Sequence, residues 1–207
     1  MMDADFWLFI LTTVGISLSG VVLPGPLTAA TIASGYHNRD AGLMIGLGHG
    51  VVELPIIALV YFGFATYLSM PAIRQITGVA GGLLLVAMGS LIFFTFKNPA
   101  EAAGRLTHSP LVTGIVMTGG NPYFLLWWAT IGVTLIAMAA TFGVVGMLVF
   151  VVLHLACDIG WSQFLSVTVY KTKHLWTPRV QKVIFSICAL VLIGFGIYFG
   201  ISVFLSA

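Results

Sequence analysis

Residues 23–28, Leu-Pro-Gly-Pro-Leu-Thr, interrupt an apolar stretch that runs from residue 6 to residue 35. Proline cannot donate the backbone hydrogen bond that a helix interior needs, so two prolines around a glycine leave carbonyl and amide groups without intrahelical partners. Within a bilayer such a break is tolerated only where it faces protein or a water-filled cavity. The sequence therefore predicts a helix that breaks at Pro24-Gly25-Pro26 beside a cavity.

The composition is that of an integral membrane protein. Of the 207 residues, 59% are hydrophobic and 7% are charged, whereas soluble domains carry about 25% charged residues. A helix needs ~20 apolar residues to cross the hydrocarbon core. Six stretches come near or exceed that length, and they cover residues 6–35, 42–69, 76–96, 111–136, 139–169 and 183–205.

A second interruption lies in the fourth span, where residues 118–123 read Thr-Gly-Gly-Asn-Pro-Tyr. We therefore expect an all-α membrane protein whose six transmembrane helices form two three-helix repeats, with helices 1 and 4 broken at Pro24-Gly25-Pro26 and Asn121-Pro122. Because three is odd, the two repeats have opposite orientation, as in many secondary transporters. The repeats cover about 6–96 and 111–205 of a single transmembrane domain, residues 1–207.

The helix after each break carries a histidine four residues before an acid, His49 with Glu53 and His154 with Asp158. Residues at i and i+4 share one helix face. An acid at mid-bilayer costs about 2.5–3.5 kcal/mol on insertion scales, so two in corresponding places require a reason. Proton coupling and binding of a cationic substrate group both fit these residues. An alternative is that each pair only joins helices 2 and 5.

The helix breaks indicate a site for a carboxylate, because a half-helix N-terminus presents free amides and a positive dipole end. The alternative is that the prolines only kink their helices. If the breaks form a carboxylate site, Thr28 adds a hydroxyl to it and Asn121 plays the same part in the second half of the chain. A tryptophan then lines the cavity. The predicted substrate-binding residues are Pro24, Gly25, Pro26, Thr28, Asn121, Pro122 and Trp161.

Basic residues are distributed unevenly among the predicted loops. With the N-terminus outside, the outer loops hold only Arg74, and the inner loops hold Arg39, Lys97, Arg105, Lys171, Lys173, Arg179 and Lys182. By the positive-inside rule both termini are external. The basic run from Lys171 to Lys182 sets this topology and meets membrane lipid, and we expect no nucleic-acid partner.

Small residues mark predicted helix contacts. Gly42, Gly46 and Gly50 recur every four residues on one face of the second span, and glycines at 78 and 82 and at 196 and 200 repeat this spacing. Such stripes allow helices in a membrane to approach closely.

Several motifs together resemble the lysine exporter (LysE/RhtB) family of amino-acid exporters. They are Pro24-Gly25-Pro26, the glycine-rich segment that ends at His49, and Asn121-Pro122. Residues 154–161, His-Leu-Ala-Cys-Asp-Ile-Gly-Trp, resemble the fifth helix of archaeal members. The resemblance implies a multi-pass protein of the cytoplasmic (inner) membrane that exports amino acids or related metabolites, driven by protons. A homodimer is compatible with it.

The leading hypothesis is thus a secondary transporter without cofactors, in which His49, Glu53, His154 and Asp158 handle protons or the substrate amine. No ATP-binding glycine-rich motif occurs in the sequence, so an ion gradient is the expected energy source. The alternative is a divalent metal cation transporter in which these four residues are the ligands. An enzyme is not expected, because no nucleophile lies beside a base in a recognisable motif.

Overall fold

The computed structural model describes residues 4–22, 25–64, 67, 70–94 and 109–205. Within these ranges the chain is helical and contains no strand. The helices of the first half are α1 (Ala4–Val22), α2 (Pro26–His37), α3 (Ala41–Tyr61) and α4 (Pro71–Phe94). Those of the second half are α5 (Pro110–Gly119), α6 (Pro122–Trp127), α7 (Val133–Ala140), α8 (Gly143–Thr172) and α9 (Pro178–Leu205). A π-helical turn, Trp128–Gly132, joins α6 to α7.

The longer helices have the length and surface of membrane spans. Large apolar side chains are exposed along α8 at four-residue spacing, at Val144, Leu148 and Val152, which is the pattern of a lipid-facing stripe. Within the described residues, five helical segments are long and apolar enough to cross a membrane, namely Ala4–Val22, Ala41–Tyr61, Tyr123–Ala140, Gly143–Leu175 and Pro178–Ile201. The expectation of an all-α, multi-pass membrane protein is confirmed.

Both interruptions indicated by the sequence separate helices in the structure. The chain leaves α1 at Val22 and enters α2 at Pro26, while Pro24 lies outside the described residues. It leaves α5 at Gly119 and enters α6 at Pro122. Each new helix begins with proline because the fixed φ suits the first helical position and the missing N–H has no intrahelical acceptor there.

Several helix boundaries differ from the expected spans; the sixth span, for example, was expected from residue 183, whereas α9 begins at Pro178. The second span was expected to reach residue 69, but α3 ends at Tyr61. Gly63 follows with a φ of +88°, a left-handed conformation that favours glycine and stops the helix. The third span was expected from residue 76, whereas α4 begins at Pro71. Hydropathy alone therefore predicts neither the glycine turn that ends α3 nor the proline at which α4 begins.

The glycine stripe of α3 packs directly on α8. A Cβ atom added at Gly42, Gly46 or Gly50 would meet α8 at Ser162, Ile159 and Leu155, in that order. The prediction of a close helix contact is therefore confirmed for α3. The second predicted set behaves alike, since Gly82 of α4 lies against Gly196 and Gly200 of α9.

Helix α8 is the centre of the bundle. It contacts α1, α2 and α3, while α9 packs extensively on α4 and also touches α2. Helix α3 has a second neighbour in α5, because the backbone oxygen of Ile45 approaches Gly114 and that of Leu111 approaches Gly48. Helix α3 is thus held between α8 and α5, and its histidine and acid are carried into the interior.

The basic residues of the α2–α3 turn and of the end of α8 lie at the same end of the bundle. The Lys173 ammonium donates to the carbonyl of Tyr36 at 3.1 Å. The Ser166 hydroxyl lies 3.0 Å from the carbonyl oxygen of Arg39 and donates to it. The α2–α3 turn therefore contacts the end of α8, as expected of loops on one side of a membrane.

The reciprocal glycine contact of α3 and α5 predicts a stability effect. Gly114→Ala places a methyl group against the backbone oxygen of Ile45, so the two helices must separate. We expect a loss of about 1–3 kcal/mol in unfolding free energy, as for other overpacked sites, seen as a lower melting temperature in detergent. The control is Gly194→Ala, where nothing lies within 4 Å of the added methyl. Equal melting temperatures for both variants would contradict this packing.

Candidate functional site

The two histidine–acid pairs come together in one cluster. Glu53 Oε1 lies 3.1 Å from Nε2 of His49 and 3.2 Å from Nε2 of His154. The Asp158 carboxylate approaches the same two nitrogens, with Oδ2 at 3.7 Å from His49 and 3.5 Å from His154. Helices α3 and α8 are therefore joined across the halves of the chain.

Each imidazole is held on its other side by a hydroxyl group. Nδ1 of His154 lies 2.6 Å from the Ser17 hydroxyl of α1, and Nδ1 of His49 lies 2.8 Å from the Thr118 hydroxyl of α5. A hydroxyl can donate to a neutral ring nitrogen or accept from a protonated one. Both imidazoles can therefore gain or lose a proton while these contacts persist.

The cluster is buried, and its acids retain unused hydrogen-bonding capacity. Glu53, His154 and Asp158 are 1%, 3% and 5% exposed. Among the described residues, Glu53 Oε2 and Asp158 Oδ2 are buried without a hydrogen-bond partner. Buried polar atoms are nearly always paired, so such exceptions indicate a functional group, a water or a ligand.

Aromatic rings surround His154. The rings of Trp127 and Phe150 stack on it with centroid distances of 5.5 and 5.6 Å, and Trp128 meets it edge-on at 5.2 Å. Trp127 and Trp128 stand where α6 passes into the π-helical turn, and Gly132 makes room for the Trp128 ring. Isolated π-helical turns are frequent at functional sites. Here the turn places two indoles against one histidine.

A cavity of about 400 Å³ opens beside this cluster. All four cluster residues line it, together with the first turn of α2, the start of α6 and aromatic side chains. Its volume falls within the ~300–1,000 Å³ of small-molecule sites. The lining includes the predicted residues Gly25, Pro26, Thr28, Asn121 and Trp161.

The two half-helix N-termini at the cavity differ. Gly25, before α2, provides no side-chain cap, and the first amides of a helix have no intrahelical acceptors. Asn121, before α6, accepts a hydrogen bond from the Tyr123 amide through Oδ1 at 3.0 Å. The α6 end is therefore capped by the protein itself, whereas the α2 end has no such side chain.

Most of the predicted site residues thus share one cavity. Pro24 and the Pro122 side chain are the exceptions, because both lie outside the described part of the structure. Ser17 was not among the predicted site residues, and no partner was predicted for Thr118. Several hydroxyl residues occur in the same apolar spans, so only the three-dimensional contacts single out these two.

Three cluster residues also satisfy the geometry of a cation site. Donor atoms of His49, Glu53 and Asp158 all lie within 4.8 Å of one another. Nitrogen and oxygen ligands of this kind suit several divalent metals. Geometry alone therefore does not separate the metal alternative from transport of an organic substrate.

A broken helix that faces a cavity with buried ionisable groups defines the class of multi-pass membrane transporters. Residues 18–203 match the family model described as LysE type translocator. The chain therefore belongs to the LysE family, and the resemblance seen in the sequence is confirmed. Neither a curated protein nor a solved structure gave a significant match.

Family membership gives the general activity, which is membrane transport of amino acids or related compounds. It does not favour the metal alternative, and it favours transport over enzymatic catalysis. That the chain is most similar to archaeal members of the family stays a prediction.

The cap on α6 predicts a stability effect at Asn121. Asn121→Ala removes the acceptor of the Tyr123 amide, so we expect a loss of about 1 kcal/mol in unfolding free energy. Asn121→Ser keeps an N-cap acceptor and is expected to melt close to the unmodified protein. Thermal unfolding in detergent measures both. If the serine variant is as unstable as the alanine variant, the cap is not what Asn121 supplies.

Proposed function

We propose that the protein is a proton-coupled secondary transporter that exports amino acids or closely related metabolites across the cytoplasmic membrane. The observation that carries the proposal is the contact of Glu53 Oε1 with both imidazoles in the wall of the cavity. Membership in a translocator family supports it. No enzymatic activity and no cofactor form part of the proposal.

The substrate carboxylate binds at the first turn of α2. The dipole of a 12-residue helix favours an anion there. Neither Gly25 nor Pro26 has a long side chain, so the substrate carboxylate can approach the backbone closely there. Thr28 lines the same cavity. Asn121 and Pro122, at the break before α6, contribute less to binding of the substrate.

The substrate ammonium binds toward Glu53 and Asp158, which line the same cavity as the α2 terminus. Their buried oxygen atoms without hydrogen-bond partners provide acceptors. Trp161, three residues after Asp158, closes the wall beside them. A zwitterion thus meets a charge of opposite sign at each end.

Protons compete with the ammonium group for this cluster. Two acids and two imidazoles within hydrogen-bonding reach can share a proton over several atoms. A proton that binds one conformation better than the other shifts the population between outward-open and inward-open states. Entry of a proton then favours release of the substrate on the outer side.

Alternation of the states follows from two inverted repeats of three transmembrane helices, about 6–96 and 111–205, in one transmembrane domain. Each half contains a helix interruption followed by a helix with a histidine–acid pair. Rocking of such repeats around a fixed site is a general mechanism of secondary transport. A homodimer stays a prediction.

The structural alternative, in which the pairs only hold helices together, explains less. It accounts for the bond between α3 and α8. It does not account for a cluster that lines a cavity and retains unpaired carboxylate oxygens, because groups used only to join helices are expected to be satisfied.

Neutralising either acid is expected to abolish coupling. In proteoliposomes whose lumen is more acidic than the medium, Glu53→Gln and Asp158→Asn should reduce amino-acid uptake by about 5- to 150-fold, the range of typical coupling free energies. Asp5→Asn, an exposed acid in the first turn of α1, is the matched control. Uptake that all three variants retain would contradict a role for the cluster.

Both termini are proposed to lie outside the cell, because Arg39 and the basic end of α8 occupy the same end of the bundle. The test uses a Cys157→Ser, Cys188→Ser background with one new cysteine. A membrane-impermeant maleimide should label Asp5→Cys on intact cells and Lys171→Cys only after permeabilisation. The opposite pattern would reverse the topology.

A further inference from the structure

We propose that the transported amino acid is neutral and has a large apolar side chain, aliphatic or aromatic. The inference rests on the proposed function and narrows the substrate class of the same site. It comes from the part of the cavity wall that the histidine–acid cluster does not form.

That part of the wall is largely apolar. Leu27 of α2, Leu165 of α8 and two phenylalanines of α9, Phe195 and Phe199, line the cavity together with Trp161. The rings of Phe195 and Phe199 lie 5.5 Å apart and form one aromatic surface. A substrate side chain that lies against these residues meets hydrocarbon, and burial of apolar surface is the main favourable term available to it there.

Charge in the wall argues against a dibasic substrate. Within the described lining, Glu53 and Asp158 are the only carboxylates, and no lysine or arginine occurs there. Both acids already face two imidazoles. With the substrate ammonium bound at this cluster, a second ammonium or a guanidinium group would have to compete with that ammonium and with the two imidazoles for the same two carboxylates, which is unfavourable in a buried site.

Part of the hydroxyl complement of the wall is already used inside the protein. The Ser17 hydroxyl contacts His154, and the Thr31 hydroxyl donates to the carbonyl of Leu27 at 2.8 Å. While it makes this bond, the Thr31 hydroxyl has no hydrogen left to donate to a polar substrate side chain. This hydroxyl thus offers a polar side chain only an acceptor.

The volume is consistent with a single bulky side chain. The cavity of about 400 Å³ lies toward the small end of ligand sites, so it suits one amino acid and not a longer peptide. Alanine would leave the surface formed by Leu165 and Phe195 uncovered, and it would forgo the burial that favours a larger substrate.

The test measures competition in proteoliposomes. Uptake of labelled leucine is challenged with phenylalanine, alanine, threonine, lysine or arginine. We expect phenylalanine to compete at least roughly tenfold better than alanine, in line with the discrimination that apolar pockets achieve, and lysine and arginine to compete least. Preferential transport of lysine, arginine, threonine or alanine would overturn the inference and leave the proposed function intact. If none of the amino acids is transported, both fail.

Two wall variants link the preference to these residues. Phe195→Ala and Leu165→Ala, on different helices, should lower the ratio of phenylalanine to alanine uptake by roughly tenfold. The matched controls are Leu190→Ala on α9 and Leu148→Ala on α8, whose side chains are 58% and 63% exposed and should leave the ratio unchanged. A ratio that is unchanged in both wall variants, or equally changed in the controls, would overturn the assignment.

Discussion

A carboxylate inside a bilayer has to find partners within the protein, and the contact of Glu53 with two imidazoles meets that requirement. The contact exists only because α3 approaches α8 closely, and the glycine stripe at 42, 46 and 50 permits that approach. A side chain at Gly42 or Gly46 would meet the α8 backbone and would separate the helices and also the two pairs. The stability of the bundle and the chemistry of the site therefore depend on the same helix interface.

Much of this arrangement was predictable from the sequence because its signals are local. Two prolines around Gly25 interrupt a helix whatever the tertiary structure, and an i, i+4 spacing puts His49 and Glu53 on one face. The contact between the two histidine–acid pairs was not predictable in the same way. That Glu53 meets His154 as well as His49 depends on how two helices from different halves of the chain are rotated against each other.

Other features could not be predicted from the sequence for similar reasons. Ser17 is one of several hydroxyl residues in an apolar helix, and only its distance of 2.6 Å from His154 distinguishes it. The π-helical turn at Trp128–Gly132 has no sequence signature comparable to a proline, yet it places Trp127 and Trp128 against His154. The boundary of α3 likewise depends on a left-handed Gly63, which hydropathy does not detect.

The central claim is that the cluster moves protons when the substrate moves, and lumenal pH reports this directly. Leucine added outside proteoliposomes that contain a pH-sensitive dye should make the lumen more alkaline as each entering molecule displaces protons, and Asp158→Asn should abolish this signal. Leucine entry without any change in lumenal pH, at the same rate in both proteins, would contradict the account.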